Sequence, residues 1–301
     1  MNSTVAALLA AVAAVAMPLG VQGQDEPTRS IVPETFLKAR PAAPKASAAA
    51  GGPSYRRVSR PVARPAPGPI SEIGVTIWKL RPTVAGDTTR LLVQDQQSGT
   101  VQWTPERVEA GTPLALGDRV RVSVESPRDG YLYVIDREQY ADGTTSDPYL
   151  IFPTTRARGG DNRVTGGRLI ELPAQTDAPP FFTLQATRPN QVAELITVLI
   201  SQQPLMDVAP GAGPVALSRE TVARWEKEAG STVEQLEMVG GAGRAWSAAE
   251  QRAGADTTRL LTQQDPPPQT VFRVVTTSPS LVATRFTLSH ARGRGAGTPP
   301  R

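Results

Sequence analysis

Short runs of alternating apolar and polar residues, cut by turn-forming residues, most narrow what this chain can fold into. Val120, Val122 and Val124 alternate with Arg119, Arg121, Ser123 and Glu125, the period of a strand with one face inward. Pro127-Arg128-Asp129-Gly130 then supplies a turn and Tyr131-Leu132-Tyr133-Val134-Ile135 a second strand, so the pair reads as a hairpin. Ile73, Val75 and Ile77 repeat the pattern upstream, and shorter runs follow at Arg90–Gln94, Tyr149–Phe152, Arg168–Leu172 and Phe181–Ala186. Val192 to Ile200 is apolar on both faces and reads as a central strand. Seven or more short strands at this spacing predict an all-β fold, an antiparallel Ig-like β-sandwich. By the same alternation, Arg121, Ser123 and Glu125 are expected to face solvent.

Past Pro204 the pattern changes. Ser218 as N-cap, Glu220 in the first turn and Gly230 at the end predict a helix over Arg219–Ala229, with Val222 and Trp225 on its inner side. A second short helix is expected over Ala245–Arg252. The two make a short helical insertion near the C-terminus, about 205–255, after which Thr270–Thr276 and Leu281–Ser289 return to the sandwich. Asp87-Thr88-Thr89-Arg90-Leu91-Leu92 recurs as Asp256-Thr257-Thr258-Arg259-Leu260-Leu261 in dissimilar surroundings, which is no solenoid repeat.

The ends differ from the body. Val5 to Leu19 is an apolar run too short to span a bilayer, followed by small and then polar residues, so residues 1–23 read as a signal peptide, although no Lys or Arg precedes the run. Residues 24–70 are expected to be an unpacked linker: Pro27 to Pro69 holds nine prolines, and eight basic residues against the single acid Glu34. Residues 291–301 read as a short unpacked tail with three arginines. Residues 71–290, the folded domain, hold 21 basic and 25 acidic residues, a net charge of −4 inside a chain of net +4. The basic excess therefore belongs to the ends. Nucleic-acid binding by the fold is not expected, while attachment of the linker 27–69 to an anionic envelope polymer, or to a protein partner, is. No second long apolar stretch occurs, so the chain is read as exported and not membrane-spanning after signal cleavage: periplasmic, envelope-bound or secreted.

The chemistry available is narrow. The chain has no cysteine and one histidine, which removes disulfides, thiolate nucleophiles and zinc–sulfur sites. His290 sits where the last strand runs into the tail and is expected to be solvated. No Gly-x-Ser-x-Gly elbow or Walker-type loop occurs. Gly211-Ala212-Gly213-Pro214-Val215-Ala216 fits a dinucleotide fingerprint by letters only, with prolines that suit a loop. No cofactor, metal or catalytic residue is assigned. Asp136, Asp142, Asp147 and Asp161 could surround a calcium ion, but Asp in turns ordinarily stabilises the turn. Candidate ligand or partner contacts are Tyr131 and Tyr133, which share one face of their strand, Tyr140 and Tyr149, expected on loops at one end, and Arg156, Arg158 and Arg163 of a Gly-rich basic loop.

Leu80-Arg81-Pro82, Trp103-Thr104-Pro105-Glu106-Arg107, Gly117-Asp118-Arg119-Val120, Gly130-Tyr131-Leu132-Tyr133-Val134-Ile135 and Tyr149-Leu150-Ile151-Phe152-Pro153-Thr154 together give the chain a family likeness. Asp161-Asn162-Arg163-Val164, Gly167 and the run Leu261 to Thr270 add to it. Over roughly 78–276 the sequence resembles the bacterial domain of unknown function 4384. The resemblance implies a compact β-rich module of exported or membrane-associated proteins, sometimes joined to caspase-like peptidase or kinase domains, whose motifs are not read here. It brings no catalytic residues. The expectation is a non-enzymatic protein- or envelope-interaction module. The alternatives are a carbohydrate or small-ligand binding module and, third, a hydrolase with paired carboxylates in a cleft.

Overall fold

A computed structural model of the chain describes residues 34–42, 53–59, 68–95, 99–206, 210–230 and 232–291. The expected signal peptide, most of the expected linker and residues 292–301 of the tail lie outside the described residues. The strands are β1 (Tyr55–Ser59), β2 (Ile70–Pro82), β3 (Leu91–Asp95), β4 (Gly99–Val108), β5 (Arg119–Glu125), β6 (Gly130–Tyr140), β7 (Tyr149–Phe152) and β8 (Arg163–Val164). They continue as β9 (Leu169–Leu172), β10 (Phe182–Thr183), β11 (Gln191–Ser201), β12 (Val215–Ala216), β13 (Thr232–Met238), β14 (Thr270–Val275) and β15 (Leu281–Ser289). The helices are α1 (Glu34–Ala39), α2 (Arg219–Ala229) and α3 (Ala248–Ala255).

The fold is mainly β, as the alternation predicts, and is built from two antiparallel sheets. The first runs β1-β13-β14-β2-β4-β3, with β5 also on β2 and carrying β9 and β10. The second runs β12-β7-β6-β11-β15, with β8 on β6. Nine and six strands exceed the seven of the simplest immunoglobulin layout. The inner faces share one core. Ile73, Val75, Ile77, Val124 and Phe272 of the first sheet meet Leu132, Val134, Val198, Ile200 and Phe286 of the second. Phe272 and Phe286 stack across the layers with ring centroids 6.2 Å apart.

The outer faces are covered too. Helix α2 begins and ends where its caps predict: the Ser218 hydroxyl accepts from the Thr221 N–H, and Gly230 takes the left-handed conformation at φ 53°. Its Val222, Trp225 and Ala229 pack on Tyr133, Ile135, Leu199 and Leu281 of the second sheet. The expected insertion 205–255 is not wholly helical, because it contains β13, seated between β1 and β14.

The first sheet departs furthest from expectation. Strand β5 is not half exposed: Arg121, Ser123 and Glu125 are buried on its outer face. Arg121 pairs with Glu171 at 2.8 Å, both side chains at most 3 % exposed, and Arg107 pairs with Glu250 of α3. Glu125 takes both ends of the Arg40 guanidinium, Nε at 2.9 Å and Nη2 at 2.5 Å. Arg40 belongs to the stretch expected to be an unpacked linker. Within that stretch α1 and β1 are instead built into the domain. Phe36 is buried beside Tyr55, β1 pairs with β13, and the Tyr55 hydroxyl donates to the Pro268 carbonyl at 2.6 Å. Gly74 in β2 makes this possible, since a Cβ there would lie 2.9 Å from both Phe36 and Pro268. The proline count concealed two large apolar anchors.

Removing one member of a buried ion pair leaves the other uncompensated, at a cost of about 3–5 kcal/mol. Arg40→Ala should therefore lower the unfolding free energy by that amount, measured by urea unfolding of the full chain. A change no larger than that of an exposed arginine would mean that the segment around α1 contributes nothing to the domain.

Candidate functional site

The two sheets do not close on each other along their whole length. Between them lies a cavity of about 530 Å³. Its walls are the inner face of β5 (Val120, Val122, Val124) and, opposite, Val134, Ile196, Val198, Phe286 and Leu288. Val122 is only partly buried although it points into the sandwich. The exposed residues at the rim include Arg156, Thr183, Thr187, Ala212 and Pro214.

Three acids interrupt this apolar lining: Asp136, Glu138 and Glu194. Their position follows from strand period. In β6 the residues Leu132, Val134, Asp136 and Glu138 share the inner face, and in β11 so do Glu194, Ile196, Val198 and Ile200. Register sets Glu194 opposite Glu138 and Ile196 opposite Asp136, so Asp136 and Glu194 are diagonal neighbours. Their carboxyl groups meet at hydrogen-bonding range. Asp136 Oδ1 and Glu194 Oε2 have no hydrogen-bond partner and are closed off from solvent. Two acceptors in contact repel unless a proton is held between them. Burial first, then the neighbouring carboxylate, pushes Glu194 up to about 8, and burial pushes Asp136 up to about 6. The pair therefore acts as one unit that keeps a proton near neutrality.

Glu138 is different. It accepts from the Thr187 hydroxyl at 2.6 Å and from the Tyr140 hydroxyl at 2.6 Å, and the Arg188 guanidinium lies 5.0 Å over the Tyr140 ring. Glu194 accepts a further hydrogen bond from the Gln191 amide at 2.6 Å.

His290 is not solvated. Its backbone N–H donates to Val192 and its neighbours bond to Leu114, which holds the ring 6 % exposed, 3.8 Å from Glu194. Neither ring nitrogen makes a well-formed hydrogen bond, and burial lowers its pKa, leaving it neutral at pH 7. Among the described residues, no group of three or more His, Cys, Asp and Glu is arranged to hold a metal ion.

The residues singled out from the sequence scatter. Tyr131 and Tyr140 open and close β6, about 30 Å apart at strand rise. Tyr133 is buried under α2, and its hydroxyl accepts from the Leu205 N–H at 2.9 Å. Tyr140 is buried, not on a loop, and Tyr149 is exposed opposite Asp136. Tyr140 ends β6 and Tyr149 begins β7, so neither lies on the expected loop. Arg156 reaches the cavity rim, the Arg158 N–H donates to Asp177, and Arg163 lies opposite Tyr131 on β8. Of the four aspartates, Asp136 is in the cavity, while Asp142 bonds Thr144, Asp161 bonds the Arg163 N–H and Asp147 pairs with Arg219. Glu138 and Glu194 were missed, although the alternation of β6 and β11 sets each on a face shared with valines and isoleucines. Their proximity needed the strand pairing.

No protein-family profile, curated protein or solved structure that was compared matches the chain.

A carboxyl whose folded-state pKa is raised is stabilising below the ordinary carboxylate range and loses that contribution as pH rises through the folded value. For this pair the loss runs from about pH 4 to about pH 8, on the order of 1 kcal/mol per pH unit for each proton held. The difference in stability between the native chain and Glu194→Gln, followed by urea unfolding, should shift in favour of the variant as pH rises. A difference constant between pH 5 and pH 8 would show that the pair is not buried as described.

Proposed function

We propose that the chain is a small-ligand binding module of an exported bacterial protein, with the ligand held between the two sheets. The observation that carries this is the cavity itself. A well-packed sandwich of this size leaves few voids larger than a water molecule, whereas about 530 Å³ lies within the range of small-molecule sites. Its lining also has the composition of such sites, an apolar wall with a few convergent polar groups. Export, and the likeness to the domain of unknown function 4384, belong to the same reading. Both rest on sequence features: the apolar N-terminal run and the Gly-Tyr-Leu-Tyr-Val and Leu-Ile-Phe-Pro motifs. A tethering role for the linker loses part of its basis, since Phe36, Arg40 and Tyr55 are used to build the domain. No helix of the described residues is long and apolar enough to cross a membrane.

A hydrolase is the second reading, favoured by the paired carboxyls in a cleft. The contact between Asp136 and Glu194 is too close for the glycosidase arrangement, which needs carboxyls about 5 Å or more apart. It resembles instead a dyad sharing one proton, as in aspartic proteases. Binding is preferred because the acids line a largely apolar interior, with no groove for an extended substrate among the features that define the site.

Titration of the full chain with a neutral fluorescent naphthalene probe tests the binding reading. Saturable binding is expected, weakened about tenfold or more by Val122→Phe, which fills the cavity from its wall. The variant should melt no lower than the native chain. Equal binding by both forms would place the probe elsewhere and remove the reading's support.

A further inference from the structure

The acids of the cavity differ from the other buried charges of the molecule. Arg40–Glu125, Arg121–Glu171 and Arg107–Glu250 each join a cation to an anion. Asp136, Glu138 and Glu194 face one another with no cation among them. The Gln191 amide donates to Glu194 at 2.6 Å. Glu138 is held by the neutral donors Thr187 and Tyr140, and the Arg188 guanidinium stands over the Tyr140 ring, 5.0 Å from its centroid, in no ion pair with the three acids. His290 is neutral beside Glu194. Arg156, the one arginine among the described residues that line the cavity, is exposed at the rim and pairs with none of the described carboxylates. Two buried oxygens, Asp136 Oδ1 and Glu194 Oε2, have no hydrogen-bond partner in the protein.

Such a site is short of one positive charge and several N–H donors. An anion would be repelled, and a sugar would lose its hydroxyl hydrogen bonds against Val120, Val122, Val134 and Ile196. A ligand with an apolar body and a cationic head meets both walls at once. We propose that the cavity binds a small organic amine, its ammonium group donating to Asp136, Glu138 and Glu194 and its hydrocarbon lying against the valine wall of β5. The inference rests on the ligand-binding reading and names the ligand's class. The proton balance is explicit: the ammonium enters carrying its own protons, the proton shared by Asp136 and Glu194 leaves to solvent, and no covalent bond changes. Affinity therefore rises with pH while the pair still holds its proton, by up to about tenfold per pH unit.

The test is calorimetric titration of the full chain with phenylbutylamine and with phenylbutanol, which share a body and differ in the head group. It is run at about pH 6 and about pH 8, each in two buffers of different ionisation enthalpy. The amine is expected to bind at least about tenfold tighter than the alcohol at the higher pH. Its binding should release about one proton at the lower pH and clearly less at the higher, where the pair has already begun to give its proton up. The double variant Asp136→Asn, Glu194→Gln should lose that preference and the proton release, yet retain the alcohol, which certifies its fold. If alcohol and amine bind equally, or the double variant keeps the preference, the amine proposal falls and the cavity reading stands. If neither compound nor the neutral naphthalene probe binds, the cavity reading itself fails and takes the proposal with it.

Discussion

Strand β5 is buried on both faces, and much of the architecture answers that constraint. Its valines face the second sheet, so Arg121, Ser123 and Glu125 must face the other way. Charges removed from water need partners of opposite sign and further hydrogen bonds. Glu171 supplies one partner from β9, and Arg40 reaches Glu125 from beyond α1. Burial pushes the Glu171 carboxyl up and the Arg121 guanidinium down, while the attraction between them works the other way. Trp246 lies against the Arg121 guanidinium at 5.5 Å and Trp78 against Arg107 at 5.3 Å, so the outer layer is a bed of aromatic rings and paired ions. Arg107 of β4 makes the same demand, met by Glu250 of α3 and the Pro267 carbonyl.

The same alternation places acids on the inner face of the second sheet, with the opposite outcome. Here the charges are of one sign, and the protein supplies a proton where an arginine would have served. Buried polar groups in ordinary structural roles are hydrogen-bonded to complementary groups. An apolar pair at Asp136 and Glu194 would fill the interior without the desolvation these carboxyls bear. Their presence beside a cavity is thus better explained by what enters the cavity than by what holds the sheets together. Perturbed carboxyls concentrated in a cleft are a recognised mark of functional sites.

The sequence revealed what depends on local pattern. Strands β5, β6 and β11 and helix α2 follow from periodicity and caps, and Ser218 and Gly230 mark the helix ends as their chemistry requires. What escaped depended on distant pairing. Strands β4 and β13 and the docking of β1 carry weak alternation and become strands because β2 and β14 offer them hydrogen bonds. The exposure of Arg121 and Glu125 was misjudged because one strand's pattern does not say whether a second layer covers its polar side. Phe36 and Tyr55 were outweighed by the prolines around them, and His290 by the Gly/Arg tail beyond it. Glu138 and Glu194 escaped as well, because the run from Val192 read as apolar on both faces; acids set inward among valines are an inconsistency of the kind that marks functional positions.

The prolines have a further consequence. Pro179 and Pro180 precede β10, and Pro214 precedes β12, two strands of only two residues each. Pro173 immediately follows β9. A proline offers no N–H to a ladder, so these strands cannot lengthen in that direction with full hydrogen bonding. Pro173, Pro179 and Pro214 all line the cavity, as do Ala212 and Gly213 of the Gly-Ala-Gly-Pro stretch. Where regular pairing would let each sheet extend and close over the other, the chain instead runs as short loops along the rim. The valines opposite are too small to fill the remaining depth. Pro- and Gly-rich segments that read as mere connectors thus set the opening, and the inward face of β6 and β11 sets the charge that waits behind it.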